Sequence, residues 1–184
     1  MLVSDRTSKS QPSFSFKNRI YRLLWNFSYL LLIRYTPVYL RFWRVFIYKL
    51  FGAQIRGRVN IYPKAKIWSP QNLVMEDGSC IANDAIIYNQ AVITLNNKCL
   101  ISQGAHLCAG THNYETETFD LITSPITVGK NAWICAEAFV CPGVNIAEGA
   151  VLGARSFAFK NLDEYCVYSG NPAIKIKKRQ INCK

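Results

Sequence analysis

The sequence predicts a mainly β fold, a parallel β-helix of about five coils, and three observations support this prediction. Between Ile55 and Leu152 aliphatic residues recur mostly six positions apart, and the residue four places after each one is usually small. A single long insert, which follows His112, interrupts the repeat. The chain before residue 53 is instead rich in aromatic and basic residues, which indicates a helical segment outside the β-helix.

A repeat of six residues fits neither an α-helix, with a period of about 3.6, nor a single strand, with a period of about 2. It is typical of a parallel β-helix in which each six-residue unit forms one face and three faces form a coil. We expect the first residue of each unit and the small fifth residue, Thr111 among the latter, to point inward. The first positions are Ile55, Ile61, Ile67, Met75, Ile81, Ile87, Leu95, Ile101, Leu107, Val128, Ile134, Val140, Ile146, Leu152 and Ala158.

The spacing between coils shows where the repeat is irregular. Ile55, Met75 and Leu95 are twenty residues apart, which is one coil of eighteen plus a two-residue bulge at one corner. From Val128 to Ile146 the step is eighteen residues. Between these two regions, residues 113–125 carry no six-residue repeat, and a long excursion on a regular solenoid is a candidate functional loop.

The composition divides the chain into four parts. We expect a disordered tail at 1–13, an amphipathic helical segment at 14–52, the β-helix at 53–163 and a basic C-terminal segment at 164–184. The helical segment should break at Thr36-Pro37, because the residue before a proline leaves the helical region. Two interpretations of residues 14–51 remain open and are compatible: a cap over the first coil and its strand edges, or a basic amphipathic element on a membrane surface.

The charge favours anionic partners. The formal net charge is +11, from 22 basic and 11 acidic residues. A phosphorylated cofactor or an anionic membrane surface would match this charge. We do not expect a nucleic-acid partner, because no recognisable binding motif accompanies the charge.

The cysteines and the apolar runs indicate where the protein works. The seven cysteines are odd in number and no pair has CxxC spacing, which suits a reducing compartment such as the cytoplasm. No secretory signal is visible, and the uncharged run of the helical segment, Leu23–Ile33, is too short to span a bilayer. We therefore expect a cytoplasmic protein with peripheral contact at the inner membrane face as an open alternative.

Only two histidines are present, His106 and His112. An imidazole titrates near neutral pH, so His112, at the mouth of the long loop, is a candidate general base. For His106 the expected role is structural. A three-histidine zinc site would lack a ligand in this chain, and we expect no metal.

Short motifs make most of the chain, about residues 20–179, similar to a known family. The motifs are Leu32–Pro37, Phe51–Ala53, Ile101–Ala105, Leu107–His112, Trp133–Ile134, Pro142–Val144 and Gly170–Ala173. On these motifs the chain resembles the hexapeptide-repeat acyltransferases and, among them, the colanic acid biosynthesis acetyltransferases, near the maltose and galactoside acetyltransferases. The resemblance implies a left-handed β-helix, a homotrimer with active sites between subunits, and acetyl-CoA as co-substrate.

The resemblance also implies roles for single residues. His112 matches the catalytic base, which would take the proton of an acceptor hydroxyl that attacks the thioester of acetyl-CoA. The residues that match cofactor-binding positions are Ala136, Ala154, Lys160 and Lys177. The residues predicted to line the acceptor pocket are Asp84, Asn89, Tyr114 and Trp133.

Some positions depart from the family pattern. Asn113 stands where an aspartate usually follows the histidine, which removes a carboxylate that would orient the base. Residues 157–161 and Ile174 also differ from the usual cofactor contacts. The resemblance nevertheless implies an acetyl-CoA-dependent O-acetyltransferase, which we expect to act on a sugar hydroxyl in polysaccharide or glycoconjugate biosynthesis. The alternatives are the same chemistry on serine, an antibiotic or an amino sugar, and a non-catalytic trimeric scaffold.

Overall fold

The computed structural model describes residues 15–181, and the predicted tail at 1–13 lies outside them. Two α-helices, α1 (Phe16–Leu32) and α2 (Arg41–Leu50), precede a long series of short strands. Helix α1 ends at Leu32, and the predicted break at Thr36-Pro37 lies within the non-helical stretch that separates it from α2.

Nineteen strands follow the helices in chain order, seventeen of them with two or three residues each. The first nine are β1 (Gln54–Ile55), β2 (Asn60–Ile61), β3 (Lys66–Ile67), β4 (Leu73–Met75), β5 (Cys80–Ile81), β6 (Ile86–Tyr88), β7 (Ile93–Leu95), β8 (Leu100–Ile101) and β9 (His106–Cys108). The remaining ten are β10 (Gly110–His112), β11 (Leu121–Thr123), β12 (Ile126–Val128), β13 (Trp133–Ile134), β14 (Phe139–Val140), β15 (Asn145–Ile146), β16 (Val151–Leu152), β17 (Phe157–Ala158), β18 (Cys166–Ser169) and β19 (Ile174–Lys178).

These strands form three parallel sheets, one for each face of a prism. The first face has the order β1-β4-β7-β12-β15, and the third has the order β3-β6-β9-β14-β17. The second face contains β2, β5, β8, β13, β16 and β18 in parallel, with β19 antiparallel at the end. Five complete coils and part of a sixth result, which confirms the mainly β fold class and is consistent with the left-handed β-helix that the resemblance implies.

The inward positions agree with the six-residue repeat. Every first position from Ile55 to Ala158 is buried, and most small fifth positions are buried with them. Thr111 is an exception, because the prediction placed its side chain inward and the structure exposes it. The reason is that the chain leaves the prism at Gly110, where β10 begins to pair with β11 instead of continuing the third coil.

A tight turn forms most corners of the prism, and it explains why the fifth residue of each unit is usually small. In most units the fourth residue has a positive φ, for example 74° at Gly78 and 62° at Asp84. The amide of the fifth residue then bonds back across the turn, as Ser79 N does to Glu76 O at 3.1 Å. Glycine and asparagine adopt this conformation at low cost, and a small fifth residue fits beneath the turn.

The two helices cover the open edge of the first coil. Amides of the first coil bond to carbonyls of the second, as Tyr62 N does to Ile81 O, so the first-coil carbonyls face away from the prism. The Trp25 indole of α1 donates to Ile67 O at 2.8 Å, and the Arg44 guanidinium of α2 donates to Ile61 O at 2.7 Å. Buried side chains thus satisfy carbonyls that would otherwise lack donors.

At the opposite end, the sheet extends beyond residue 163, where the sequence analysis ended the β-helix. Strand β18 pairs with β16 in parallel, and β19 folds back on β18. Part of the predicted basic C-terminal segment is therefore an edge strand of the second face. Among the described helices none is long and apolar enough to cross a bilayer.

Candidate active site

The insert after the third coil is a β-hairpin arm, defined here as residues 110–123. Strand β10 runs antiparallel to β11, with His112 opposite Leu121. The arm leaves from the third corner, which is the corner that follows the third face. The regular six-residue repeat cannot accommodate this outward pairing, which is why the repeat stops here.

The arm fixes the imidazole of His112. Its Nδ1 lies 2.6 Å from the carbonyl oxygen of Phe119, and the side chain is exposed. A carbonyl oxygen only accepts, so Nδ1 must carry the proton in this contact. The neutral ring then has its Nε2 lone pair free, as a general base requires.

A backbone carbonyl therefore orients the histidine, in the place of the carboxylate that Asn113 removes. The Asn113 side chain serves the loop instead, because its Oδ1 accepts from Glu115 N at 3.0 Å. Phe119 has a φ of 49°, an uncommon conformation for an aromatic residue. Its amide bonds to Thr116 O at 3.2 Å, which holds the turn that aims its carbonyl. Sequence reasoning missed this contact, since no residue type signals it.

The two predicted aromatic wall residues lie in different environments. Tyr114, at the tip of the arm, is 82% exposed. Trp133 lies on the second face, partly exposed, and its indole donates to Ser102 Oγ at 2.8 Å. A single chain does not bring these two rings together at one pocket, because the arm leaves from the third corner.

Ala136 and Ala154 occupy one column at the second corner, between the second and third faces. They are equivalent positions in neighbouring coils, and the amide of Arg155 donates to Ala136 O at 2.9 Å. Asp84 lies at the same corner in the second coil and is exposed. Residues with short side chains leave the backbone of this corner open to a ligand.

Asn89 is fully buried at the third corner of the second coil. Its Oδ1 accepts from Ser69 N at 3.0 Å, and its Nδ2 donates to Ser69 O at 2.6 Å. Both polar ends of the amide are thus used within the chain, where they hold the two-residue bulge of the first coils. An acceptor-binding role for Asn89 stays a prediction that these contacts do not favour.

The two predicted phosphate-binding lysines lie on different parts of the C-terminal end. Lys160 follows β17 at the third corner, with its Nζ 5.3 Å from the ring centroid of Phe159. Lys177 lies in β19, opposite Val167, on the second face. A face of six residues spans about 20 Å, so these groups and the second-corner alanines do not form one pocket within a single chain.

Sequence reasoning also missed a basic surface beside Trp133. Lys98, Trp133 and Arg179 line a cavity of about 400 Å³ on the second face. Arg179 is held there by hydrogen bonds from one Nη to Asn131 O at 2.9 Å and Gly149 O at 3.0 Å. Lys177 and Arg179 both line a neighbouring cavity of about 550 Å³. This surface forms because β19 folds back on β18, and no local sequence motif predicts that pairing.

Other groups that could do chemistry are less suited to it. Burial raises the pKa of Cys99 to about 12 and raises the pKa of Cys135 and Cys141, so these thiols are protonated at neutral pH. Burial lowers the pKa of His106, whose ring packs 4.8 Å from Phe139, centroid to centroid, within an aromatic row on the third face. His112 is the better candidate base because its ring is exposed and oriented.

Comparison with known proteins finds relatives in sequence and solved structures with a similar fold. No protein-family model matches the chain. The Escherichia coli K12 protein named "Putative colanic acid biosynthesis acetyltransferase WcaF" is 37% identical over 178 residues, which cover 96% of this chain and 98% of that protein.

The solved structures that share the fold include two acetyltransferases. A maltose O-acetyltransferase from Clostridium difficile 630 has a TM-score of 0.82 at 20% identity, with 91% of this chain and 90% of that chain covered. A hexapeptide-repeat acetyltransferase from Vibrio cholerae, solved with acetyl coenzyme A, has a TM-score of 0.81 at 16% identity, with 92% and 93% covered.

Proposed function

The chain belongs to the colanic acid biosynthesis acetyltransferase family and is an acyltransferase, and from this premise we propose that it acetylates a sugar hydroxyl with acetyl-CoA as donor. The acceptor would be an intermediate of polysaccharide or glycoconjugate biosynthesis. The observation that carries the proposal is the exposed His112 ring, whose Nδ1 is held 2.6 Å from Phe119 O while its Nε2 bonds to none of residues 15–181.

In the proposed reaction, the acceptor oxygen attacks the carbonyl carbon of the thioester while its proton passes to Nε2 of His112. The tetrahedral intermediate carries an oxyanion, which backbone amides would stabilise. Its collapse breaks the C–S bond, and the imidazolium returns the proton to the leaving thiolate. The products are the acetyl ester and CoA, and no acetylated enzyme forms.

We propose that the active form is a homotrimer with each site between two subunits. In one chain the arm leaves from the third corner, whereas Ala136 and Ala154 lie at the second corner, about 20 Å away along a face. A neighbouring prism could supply the second corner to the histidine of the first. This division of the site supports an assembly in which one subunit provides His112 and the next provides the donor-binding corner.

The basic surfaces suit a donor with phosphate groups. Lys160, Lys177 and Arg179 all lie toward the C-terminal end of the prism. A cleft that runs along the prism axis would place the thioester near the arm and the nucleotide near these cations. The proposal assigns Ala136 and Ala154 to the pantetheine portion, where small side chains allow close approach.

We also propose peripheral contact with the inner face of the cytoplasmic membrane. No Asp or Glu occurs between Arg6 and Met75, so the helical segment is basic throughout. Its exposed apolar side chains would enter the interface while its arginines meet anionic lipid. In the helical segment, the large apolar residues that are at least 60% exposed are Phe16, Leu23, Phe27, Leu31, Tyr35, Tyr39, Phe42 and Leu50.

The test of the proposed chemistry is His112→Ala, assayed by mass spectrometry for acetylated products across nucleotide-linked and lipid-linked sugars. General-base assistance is worth about 10²- to 10⁴-fold, so kcat should fall by that factor while the affinity for CoA stays nearly unchanged. His106→Ala is the matched control and should have a much smaller effect.

Two outcomes would contradict the mechanism. The first is near-full activity of His112→Ala, and the second is a trapped acetyl-cysteine. Serine, an amino sugar and an antibiotic belong in the same panel as rival acceptors. If one of these is acetylated and no sugar is, the protein is still an acetyltransferase, but the proposal that its acceptor is a sugar is wrong.

A further inference from the structure

A groove of about 260 Å³ lies between α1 and the outer side of the third face, in the first two coils. Its walls are apolar and largely aromatic: Trp25 and Tyr29 come from the helix, and Trp68, Ile86 and Tyr88 come from the face. The proposed acetyl transfer uses none of these side chains. Apolar walls of this kind favour an apolar ligand, because its transfer from water is favourable.

Two cations lie beside the groove. The Arg22 guanidinium lies 4.3 Å from the ring centroid of Trp68, one helical turn before Asn26 at the rim. Its Nε is buried and has no hydrogen-bond partner among residues 15–181. Lys66 adds an exposed ammonium at the rim, and no acidic residue lines the groove in the described structure. A buried donor without a partner is costly unless an acceptor reaches it.

Along the prism axis, the groove ends one coil before the coil from which the arm with His112 leaves. Tyr88 pairs with Cys108 in the next coil, and β10 begins two residues after Cys108. Adjacent coils are about 4.8 Å apart, so the start of the arm is within roughly one or two coils of the groove. A ligand that lies along the groove would point one end toward the histidine.

The groove also continues into the exposed apolar surface of α1. Asn26 at the rim is neighboured on the helix by Leu23 and Leu30, which are 69% and 46% exposed. On the proposed membrane orientation these side chains face lipid. A hydrocarbon chain could therefore pass from the bilayer into the groove without crossing water.

We propose that this groove binds the hydrocarbon chain of an amphiphilic acceptor, with its anionic head group against Arg22 and Lys66. The inference rests on the proposed sugar acetylation and names the substrate class: a saccharide carried on an acyl or prenyl chain through phosphate. Apolar walls fit the chain, cations fit the phosphate, and the register places the saccharide toward His112.

Binding is tested with dodecyl phosphate below its critical micelle concentration, by titration calorimetry on the full chain without acetyl-CoA. Ile86→Trp fills the groove and should weaken binding by more than about tenfold. Phe139→Trp is the matched control, because Phe139 lies in the same outward column of the third face but does not line the groove. It should bind as the wild type does.

The head group is tested with a second pair of variants. Arg22→Gln should weaken dodecyl phosphate several-fold and leave the uncharged dodecyl maltoside unchanged, whereas Arg19→Gln, on an exposed part of α1, should change neither. Inorganic phosphate alone should bind much more weakly than dodecyl phosphate, because it has no chain to bury.

Several results would overturn the proposal. No binding by the wild type would do so, as would equal weakening by Ile86→Trp and Phe139→Trp. If Ile86→Trp alone dissociates the oligomer in light scattering, the groove is a contact between subunits and not a ligand site. Calorimetry needs no turnover, so the two claims can fail separately. If dodecyl phosphate binds and Ile86→Trp weakens that binding, but no sugar is acetylated, the proposed function is refuted and the groove proposal stands.

Discussion

Removing the buried guanidinium of Arg44 should destabilise the protein from its N-terminal end. The side chain is fully buried, with no carboxylate among its hydrogen-bond partners in the described chain. Its Nε donates to Ile61 O, and its two Nη atoms donate to Pro37 O and Val38 O, each at 2.7 Å. One residue therefore ties the first coil to the chain between the two helices.

The magnitude follows from what each carbonyl loses in Arg44→Met, which keeps most of the stem. A hydrogen bond to a charged group contributes about 1.5–3 kcal/mol, and an unsatisfied buried carbonyl costs about 1–3 kcal/mol. Pro37 and Val38 are exposed, so water can replace the donor there. Of the three carbonyls only that of Ile61 is left without water or another donor. In the wild type, the free energy of burying a guanidinium that has no carboxylate partner offsets part of what its hydrogen bonds contribute. We expect a loss of about 2–4 kcal/mol.

The assay is thermal and urea unfolding followed by circular dichroism. For a chain of this size 1 kcal/mol shifts the midpoint by about 2–4 °C, so Arg44→Met should melt roughly 5–15 °C lower. Lys49→Met, an exposed cation on the same helix, is the control and should change the midpoint little. An unchanged midpoint in Arg44→Met would falsify the view that this arginine secures the cap.

Two further predictions concern the corners. Asn89→Ala removes the partners of Ser69 N and Ser69 O, so it should lower the free energy of unfolding in urea by about 2–4 kcal/mol. The control Asn83→Ala removes one exposed hydrogen bond and should lower it less. Equal losses would contradict the structural role of Asn89. Co-expressed His112→Ala and Ala136→Trp chains, assembled at random in equal amounts, should regain about a quarter of the wild-type activity over all trimers, since each site would combine parts of two subunits. No recovery in mixed trimers would place each site within one chain.

The prism could be predicted from sequence because its repeat is a local property. The interior of each coil admits one aliphatic side chain per face, and the buried series from Ile55 to Ala158 follows from that restriction. Thr111 shows the limit of the pattern. It fits the local spacing, yet pairing of β10 with β11 takes it outside, and that pairing depends on Leu121–Thr123, ten residues later.

The C-terminal end shows a second limit. Residues 164–184 contain no six-residue repeat, so the sequence predicts that the β-helix ends before them. Strand β18 nevertheless joins the second face because β16 offers an open edge, and β19 pairs with it by folding back. A strand joins a sheet edge through hydrogen bonds of backbone N–H and C=O groups, which every residue type except proline offers, so the pairing leaves no mark in the sequence. The basic surface around Arg179 depends on this pairing and was therefore not predictable.

The orientation of the candidate base shows why residue type alone did not give the site. Asn113 removes the carboxylate that the family pattern would supply, and on that basis His112 lacked an orienting group. The Phe119 carbonyl fills the role without adding a charge beside the ring. Its direction depends on closure of the arm, through Asn113 N to Asp120 O at 2.8 Å and Phe119 N to Thr116 O at 3.2 Å. Because the base is fixed by a hairpin that stands off the prism, changes in the arm should lower kcat while the folded prism and its donor-binding corner stay intact.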